Sequence, residues 1–447
     1  MIITRPLRKP FWIIKSFIQK HQKLILFTSL IAAFIFFFAK NLLPLLPRIK
    51  PDTKIGVVGQ YTMNTLPSQI SQTISRGLVK VDDSGQITPD MAKSWEVLKD
   101  ETLYRFYLKP DVLWSNGSAL KAKDIQLDIP NVTLNYPEEH IIEFQLEESF
   151  SPFLVTLSRP LFKNNQVGAG KYTIKKLRYQ GPYLKSLELA GATQNLIYHF
   201  YPSHQTAWLG FRLGEVDKLE NLIINPLNDQ WQKKLDLQQH TNLNQYLAVI
   251  FNLNHPQLVS KPLRQALAYA IKEKSPSPET RALTPISPQS WTYNSNVKPY
   301  DYNPSQAQEL FDSAKEEASI SGQLELTLGT SQSLLSLAES IAQSWQDTLP
   351  VKVEVKIINS IEPDFQAILV AQQIPLDPDQ HALWHSTQDT NISRYSDLKI
   401  DKLLEDGRKI SDFDKRQEIY QDFQRFLVED SPAIFLQHPI TYTISRK

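Results

Sequence analysis

Apolar residues recur along this chain with two periods, one typical of strands and one of helices. In HIIEFQLEE every second residue is apolar, so Ile142, Phe144 and Leu146 fall on one face of a predicted strand. In KPLRQALAYAIKEK the apolar positions follow the helical period, and Pro262 suits the first turn. The two patterns together predict a protein that contains both kinds of element.

The predicted elements alternate along the body of the chain. NPSQAQELFDSAKEEA predicts a helix with Asn303 as its N-cap and Pro304 at its first position. QLELTLGT and VKVEVKII enclose a helical segment that ends near Asp347, which predicts a β–α–β unit. Because strands and helices alternate in two long blocks, we expect two α/β lobes.

The N-terminal part contains the longest apolar run. LILFTSLIAAFIFFFA, followed by KNLLPLLP, approaches the roughly 20 residues that cross a bilayer. Six Lys/Arg residues precede the run and three follow it, which places the N-terminus in the cytoplasm and the body outside. We therefore predict a basic cytoplasmic segment (1–23), a transmembrane anchor (24–43) and a stalk (44–53) of a single-pass cell-membrane protein. A cleaved signal peptide and a buried core helix are the alternatives.

Charge and cysteine usage exclude several classes of function. The net charge is +1, but residues 1–50 carry nine Lys/Arg and no acid. The rest of the chain therefore holds 39 of the 48 basic residues against all 47 acidic ones, so we do not expect nucleic acid as a partner. Because the chain has no Cys, disulfides, thiolate metal sites, Cys nucleophiles and lipid-modified cysteines are excluded.

No catalytic motif stands out. The chain lacks the G-x-S-x-G, H-E-x-x-H and G-x-G-x-x-G patterns. NQVGAGKYT ends like a phosphate-binding loop, but Asn165 replaces the first glycine and Tyr172 replaces the Ser/Thr. Acid pairs such as Glu138/Glu139 lie in polar stretches typical of a solvated surface. We therefore expect neither an enzymatic activity nor a cofactor.

The stretch IPLDPDQHALWHS is a candidate metal site. His381 and His385 are four residues apart, so on a helix they would share one face, and two carboxylates precede them. The same stretch also resembles a helix start, with Asp377 as N-cap and Pro378 in the first turn. On that interpretation Trp384 packs inward and the histidines lie at the surface. We favour it over the two alternatives, which are the rim of a ligand cleft and, last, a metal site.

A series of segments between residues 54 and 445 forms one further pattern. The longest is ISRGLVKVDDSGQITPDMAKSWEVLKDETLYRFYLKPDVLWSNGSALKAKDI, whose pattern positions are Gly77, Leu78, Pro89, Trp95, Trp114, Ser115, Asn116, Gly117 and Asp124. The later segments are GAGKYTI, GEVD, FNLN, KPLRQALAYAI, YDYNPSQAQELF, LDPDQ, NISRYSDLKIDKLL and EDSPAIFL. In this order they resemble the extracellular solute-binding proteins of the oligopeptide, dipeptide and nickel class, which serve ABC importers.

The resemblance implies a two-lobed α/β fold of the type II periplasmic-binding-protein kind, preceded here by one transmembrane helix. In that fold the ligand binds between the lobes, which close around it. A small subdomain inserted in the first lobe is also implied, and we expect Trp95 and Trp114 to pack within it. The expected boundaries are 54–75, 146–255 and 431–447 for lobe 1, 76–145 for the inserted subdomain and 256–430 for lobe 2.

The resemblance further implies that the ligand meets the loop after the first strand and several loops of the second lobe. The expected ligand-binding residues are Gln60, Tyr61, Thr62, Met63, Trp291, Tyr293, Gln372, Asp377, Asn391 and Tyr395. Peptide-binding members often carry an Asp just before the DP element, which pairs with the ammonium group of the ligand. Here residues 371–374 are Ala, Gln, Gln and Ile, and Asp377 is the nearest possible substitute.

We therefore expect a monomeric, membrane-anchored receptor that captures peptides or similar small solutes and delivers them to ABC permease subunits. One alternative is a non-transport receptor or chaperone-like protein on the same scaffold. It is favoured by the missing acid and by short loops, one between Asp124 and Tyr136 and one between Lys274 and Trp291. The other alternative is a non-peptide ligand such as a metal chelate.

Overall fold

The protein is described by a computed structural model, which covers residues 5–42, 50–82, 85–164, 166–227, 234–317 and 323–447. The chain forms two compact units, Met1–Pro51 and Asp52–Lys447. The first unit contains the helix α1 (Arg5–Leu42). The second unit contains all the other described elements.

The middle of α1 is long and apolar enough to cross a membrane. This part, Lys15–Phe38, has 24 residues, and its large apolar side chains are exposed, Phe36 by 74%. The expected anchor (24–43) overlaps it, which identifies a candidate membrane anchor or signal by length and composition. Residues 43–49, which include most of the expected stalk, lie outside the described residues.

The first lobe is built on a seven-stranded sheet of order β12-β18-β11-β1-β10-β9-β8. Its strands are β1 (Asp52–Val58), β8 (Thr173–Gln180), β9 (Tyr183–Ala190), β10 (Asn195–Tyr201), β11 (Lys218–Leu222), β12 (Leu235–Thr241) and β18 (Ile440–Arg446). Strand β1 is parallel to both of its neighbours, β10 and β11. Its helices are α2 (Ser68–Ile74) and α4 (His204–Leu213).

The second lobe is built on a five-stranded sheet of order β15-β14-β16-β13-β17. Its strands are β13 (Gln245–Phe251), β14 (Leu324–Thr330), β15 (Val351–Ile357), β16 (Ala367–Gln373) and β17 (Ala433–Gln437). Its helices are α5 (Lys261–Tyr269), α6 (Pro304–Glu317), α7 (Leu335–Thr348), α8 (His381–Trp384), α9 (Leu398–Lys409) and α10 (Phe413–Asp430). The predicted β–α–β unit is confirmed, because β14 and β15 pair in parallel and α7 connects them.

Along the chain, a two-stranded ribbon and a four-stranded sheet of order β4-β5-β7-β6 come between β1 and β8 of lobe 1. The ribbon consists of β2 (Val79–Val81) and β3 (Ile87–Pro89), and the sheet of β4 (Ala92–Leu98), β5 (Leu103–Leu108), β6 (Val132–Glu138) and β7 (Ile141–Leu146), with the short helix α3 (Phe153–Thr156) after it. The period-two prediction holds for β7, in which Ile142, Phe144 and Leu146 are buried.

Trp114 is hydrogen-bonded to Asp124, and both residues are pattern positions of the longest family-like segment. Its ring is 2% exposed, and its indole N–H donates to Asp124 Oδ2 at 3.0 Å. The other oxygen of that carboxylate, Oδ1, lies 2.8 Å from Lys163 Nζ. Burial acts to raise the pKa of Asp124, but these donors outweigh it and lower the pKa. The tryptophan thus packs within the small sheet, as expected.

Helix starts follow the capping signals in the sequence. Asn303 Oδ1 accepts a hydrogen bond from Gln306 N at 3.1 Å, and α6 begins at Pro304, so this N-cap prediction is confirmed. Ser260 Oγ caps α5 by accepting from Leu263 N at 3.4 Å. The helix start proposed at Asp377 is wrong, because α8 begins only at His381.

Strand pairing places two segments in a different lobe from the one we expected. Strand β13 lies within 146–255 and β17 within 431–447, both expected in lobe 1. The two strands pair with each other and belong to the five-stranded sheet of lobe 2. The chain therefore crosses from lobe 1 to lobe 2 at about residues 241–245, between β12 and β13. It returns at about residues 437–440, between β17 and β18. The other boundaries stay predictions.

Candidate functional site

Three cavities in the described part of the chain are lined by residues of both lobes. The ribbon cavity, about 420 Å³, lies between the β2–β3 ribbon and the second-lobe loops around Trp291 and Ile374. The subdomain cavity, about 700 Å³, lies between Tyr104 of the small sheet and Arg416 of α10, and it shares Trp291 with the first. The strand-end cavity, about 680 Å³, is separate from both.

The strand-end cavity lies where parallel strands end. Strands β14, β15 and β16 run in parallel. Residues at or just beyond their carboxyl ends line the strand-end cavity. Strand β11 of the first lobe also ends beside this cavity, which Ile223 lines. In open α/β sheets ligands bind outside the carboxyl ends of the strands. The polar and small residues on its wall are Gln245, Ser331, Ser333, Ser336, Asn359, Ser360, Ala371 and Gln437 from lobe 2, with Tyr442 from lobe 1. None of its lining residues among those described is charged.

Strand β16 extends beyond its neighbour β14 at this cavity. Pairing with β14 stops at Leu369, opposite Thr330, whereas pairing with β13 continues to Gln373. Residues 370–373 therefore have a sheet partner on one side, and no described strand pairs with them on the other. Backbone groups that lack a partner at such an edge are available to an added strand.

The direction of each backbone group along β16 follows from two hydrogen bonds. Ile374 N donates to Asn244 O at 2.8 Å, and Asn252 N donates to Gln366 O at 2.9 Å, both toward β13. Because successive residues of a strand point to alternate sides, Ala371 and Gln373 direct their N–H and C=O groups to the open edge. The edge thus offers two N–H donors and the Ala371 carbonyl to an extended ligand, while the Gln373 carbonyl already accepts from the Gln372 side chain.

The ribbon cavity, unlike the strand-end cavity, is lined by charged side chains. Arg76 Nη1 lies 3.1 Å from Asp90 Oδ1, and Lys80 and Asp82 also line the wall. Ile374, which directly follows β16, lines this cavity and is 8% exposed. A ligand extended along β16 past Gln373 would therefore move from uncharged to charged surroundings.

The four expected residues after β1 do not line any of these three cavities. Tyr61 turns back on its own lobe: its hydroxyl donates to Val58 O at 3.0 Å, and burial raises the pKa of the phenol. Thr62 N donates to Thr65 Oγ1 at 2.8 Å, and Met63 packs against the first-lobe core. Gln60 is exposed.

Trp291 is placed at the junction of two cavities. Its ring stacks on Phe413 at a centroid distance of 4.0 Å. Gly85, beside the ribbon, approaches the ring so closely that a Cβ there would lie 2.6 Å from Trp291 Cδ1. Only glycine fits this approach, since its φ of +81° is also left-handed. Trp291 therefore lies against the first lobe and lines the ribbon and subdomain cavities, and its role in ligand binding stays a prediction.

Tyr293 and Gln372 are not brought to the same place as Trp291. Tyr293 lines a separate cavity of the second lobe together with Lys274 and Arg281. The Gln372 side chain donates to Gln373 O at 3.2 Å and lies at a small cavity of about 10 Å³ beside Trp384. The structure thus spreads these expected site residues over different surfaces.

Asp377 does not offer a free carboxylate to a ligand. Its two oxygens bind the Arg416 guanidinium, with Nη1 to Oδ2 at 3.0 Å and Nη2 to Oδ1, and both side chains are buried. Burial acts to lower the pKa of Arg416, but the Asp377 charge outweighs it and raises the pKa. The expectation that Asp377 substitutes for the missing acid is therefore not supported, because the ion pair uses its charge within the second lobe.

Asn391 and Tyr395 support the loop after α8 from inside. Asn391 is 1% exposed, and its amide donates to Tyr395 O at 2.8 Å. The Tyr395 hydroxyl donates to Asp430 Oδ2 at 2.7 Å, and burial, followed by that carboxylate, raises the pKa of the phenol. Both residues thus occupy internal positions, which differs from the expectation that they line the cleft.

His381 and His385 stack on each other with ring centroids 4.1 Å apart. The prediction of two surface histidines is wrong for His385, which is 5% exposed and shares a hydrogen bond with Thr387 Oγ1 at 2.9 Å. Burial, then Arg408, lower the pKa of His381 to about 4, so it is neutral near pH 7. No group of three or more His, Asp or Glu among the described residues could hold a metal ion.

The buried ring makes the two histidines unequal in their effect on stability. We expect His385→Ala to lower the free energy of unfolding by about 1–3 kcal/mol, because it removes a buried hydrogen-bonded ring, and His381→Ala to have the smaller effect. Urea unfolding of the two variants, with and without added nickel, measures both. A loss that nickel reverses would mean that the pair binds metal after all.

Residues at the ends of β14, β15 and β16 were missed by sequence reasoning. Ser331 directly follows the predicted strand QLELTLGT, and Asn359 follows VKVEVKII. Their position after parallel strands of a β–α–β unit was a usable signal, because such strands end at one edge of a sheet. The sequence contained no signal for the open edge at Ala371, because that edge depends on where pairing with the neighbouring strand β14 stops.

Comparison with known proteins agrees with this architecture. The profile described as "Bacterial extracellular solute-binding proteins, family 5 Middle" matches residues 86–135 and 190–394, more than half of the 447 residues. The di/tripeptide-binding protein 1 of Pseudomonas aeruginosa is 22% identical over an alignment 488 positions long, and the alignment covers 87% of each chain. The nickel-binding periplasmic protein of Escherichia coli is 25% identical over an alignment 461 positions long, which covers 86% of each chain.

A solved structure shows the same fold. The crystal structure of NikZ from Campylobacter jejuni in complex with Ni(L-His) superposes with a TM-score of 0.73 at 22% identity, covering 89% of this chain and 94% of that one. The predicted two-lobed α/β fold of the periplasmic-binding-protein type is therefore confirmed. From the extent of the profile match, this chain belongs to the bacterial extracellular solute-binding proteins of family 5.

Proposed function

We propose that this chain captures a short peptide in the strand-end cavity and delivers it to an ABC importer. The observation that carries the proposal is the open edge of β16, where Ala371 lines a space of about 680 Å³ and Gln373 continues the same edge beyond it. An extended peptide can add to such an edge as a further strand, held by main-chain hydrogen bonds. That mode reads the peptide backbone and leaves its side chains free to vary.

The charges of the two neighbouring cavities suggest how the peptide termini lie. The strand-end cavity has no charged lining residue among those described, and Asp377 is paired with Arg416. A buried ammonium or carboxylate without a partner would be costly there. A peptide terminus directed past Gln373 would instead reach the ribbon cavity, where Arg76, Lys80, Asp82 and Asp90 lie.

A nickel–histidine complex is the second candidate ligand. One relative is named as nickel-binding, and the NikZ structure holds Ni(L-His). The NikA structure from Staphylococcus aureus holds Ni(L-His)2, which is electrically neutral when both histidines bind as histidinate and so suits an uncharged cavity. Such a complex brings its own donor atoms, and this agrees with the lack of a metal-binding group among the described residues.

We also infer that α1 keeps the body attached to the outer face of the cell membrane. The helix has the length and apolar composition of a span, and the charges flanking it favour a cytoplasmic N-terminus. Alkaline washing of membranes should leave the full-length chain in the pellet, whereas a protein released by cleavage after α1 would appear in the wash.

Native mass spectrometry of residues 52–447 tests the ligand. The unit is purified without added ligand and then mixed either with a pool of di- and tripeptides or with nickel and L-histidine. We expect added masses that fragment as peptides from the pool. Added masses of a nickel–histidine complex alone would select the second candidate. Binding of neither would contradict both candidates and favour a receptor role without these solutes.

A further inference from the structure

A second-lobe cavity away from the cleft contains two cationic side chains. It has a volume of about 600 Å³ and is formed by the segment after α5 and by the loop that carries Tyr293. Lys274 and Arg281 line its wall, and the Tyr293 ring lines it as well. Pro276, Pro278 and Pro288 also line it, and proline limits backbone freedom. The volume falls within the range of small-molecule sites. None of the residues named here lines any of the three inter-lobe cavities.

Lys274 has few partners for a buried ammonium group. The residue is 7% exposed, and its Nζ donates to Ile271 O at 3.1 Å. An ammonium group has three donors, so one carbonyl leaves most of its capacity unused. Across the described residues it forms no ion pair with a carboxylate. A buried charge of this kind costs free energy unless something pairs with it.

Arg281, on the same wall, adds a second positive charge, and among the described residues it forms no ion pair with a carboxylate. Its guanidinium donates to backbone carbonyls, including Leu436 O at 2.7 Å and Pro299 O at 3.0 Å. Those bonds hold the end of β17 but do not neutralise the charge. Burial, then Arg281, lower the pKa of Lys274 to about 7, and burial lowers that of Arg281 to about 10. Burial is the larger cause for both residues, and the Asp301 carboxylate acts in the opposite direction on both pKa values.

The acids near this cavity lie at its mouth. Glu273, Glu279 and Asp301 are on the lining and are exposed, and none of them forms an ion pair with Lys274 or Arg281 in the described chain. Lys272, at the same mouth, is already paired with Asp347 at 2.6 Å. Asp301 acts on Lys274 and Arg281 through its charge, but neither forms an ion pair with it, so the two cations on the wall keep donor capacity for a small anion.

We propose that this cavity is a second ligand site, which binds the oxyanion group of a small solute against Lys274 with Arg281 behind it. The group is a sulfate, a phosphate or a carboxylate, all of which accept charge-assisted hydrogen bonds from an ammonium donor. The site is independent of the proposed peptide site, because it shares no wall with the strand-end cavity. Its failure in a test would thus leave that proposal untouched.

Isothermal titration of the full-length chain in detergent with sodium sulfate, at constant ionic strength, tests the site. We expect the wild type to bind sulfate and Lys274→Met to bind it about tenfold to a hundredfold more weakly, as for one lost charge-assisted hydrogen bond. The matched control is Lys272→Met, which removes a lysine from the same cavity mouth and should leave binding unchanged. Parallel titrations with phosphate and acetate show which oxyanion class the site prefers.

The pH dependence gives a second readout, since sulfate keeps its charge across the range. Lys274 must be protonated to bind, so with its lowered pKa sulfate should bind more tightly at about pH 6 than at about pH 9. The titratable or charged groups that face or surround it are Arg281, Tyr293, Asp301, Tyr302, Lys272, Glu273, Glu279 and His438. Absence of sulfate, phosphate and acetate binding in the wild type, or equal weakening by both lysine variants, would overturn the proposal.

Discussion

Replacing Asp377 with alanine should lower the free energy of unfolding by about 3–5 kcal/mol, because it leaves the buried guanidinium of Arg416 without its partner. The two side chains are only 9% and 7% exposed. Arg416 Nε also donates to Gly407 O at 2.8 Å, so the pair ties α10 to the end of α9 and to the loop after β16. Urea unfolding of residues 52–447, followed by far-ultraviolet circular dichroism, measures the loss.

Two further variants separate the ion pair from its surroundings. The double variant Asp377→Leu with Arg416→Met should recover much of the loss, because it removes both charges and keeps apolar volume. Glu325→Gln breaks the exposed pair between Lys352 and Glu325, whose side chains are 64% and 70% exposed, and should cause no measurable change. If Asp377→Ala were as stable as the wild type, the carboxylate would be free, and a ligand-binding role for it would return.

Replacing Ala371 with proline should weaken ligand binding by about tenfold or more, because it removes a donor from the open edge and places a ring where the ligand backbone would lie. The sheet itself should tolerate the change. The Ala371 N–H points away from β13, and pairing with β14 has already ended at Leu369. Proline is accepted in strands where the lost N–H faces no partner strand. Native mass spectrometry with the peptide pool measures the bound fraction.

The matched control at this position is Ala371→Ser, which keeps the backbone N–H and should bind as the wild type does. Gln372→Pro is the opposite control, because its N–H points toward β13 and its loss should destabilise the sheet. Unchanged binding by Ala371→Pro, in a variant shown to be folded, would place the ligand outside the strand-end cavity. The ribbon cavity, with its charged wall, would then be the place to test next.

The Asp377→Ala and Ala371→Pro variants also test how far the resemblance in sequence predicts the roles of individual residues in this chain. The family pattern drew attention to an acid before the DP element, and its absence here made Asp377 a substitute by proximity in sequence. In the structure Asp377 binds Arg416, 39 residues further along the chain. The resemblance therefore drew attention to this loop, whereas the role of the carboxylate depended on α10, which the loop contacts only in the folded protein.

The sequence by itself determined the features that depend on near neighbours. Asn303 followed by Pro304 defined the start of α6, and alternation in HIIEFQLEE defined the buried face of β7. The apolar run after Lys23 determined a helix long enough to span a membrane. A cap, a strand face and a span each depend on residues a few positions apart, so local order is sufficient to predict them. The order of the pattern segments was sufficient to identify the family and hence the fold.

Only the tertiary structure decided which residues face the cavities. Asn391 and Tyr395 lie in a region that the family pattern matched, yet hydrogen bonds to Tyr395 O and Asp430 hold them inside. The open edge of β16 exists because pairing with β14 stops at Leu369, whereas pairing with β13 continues to Gln373. These two neighbours of β16 come from distant parts of the chain. Partners and edges of this kind depend on contacts between residues far apart in sequence. Periodicity and spacing carry no information about such contacts until the lobes have packed.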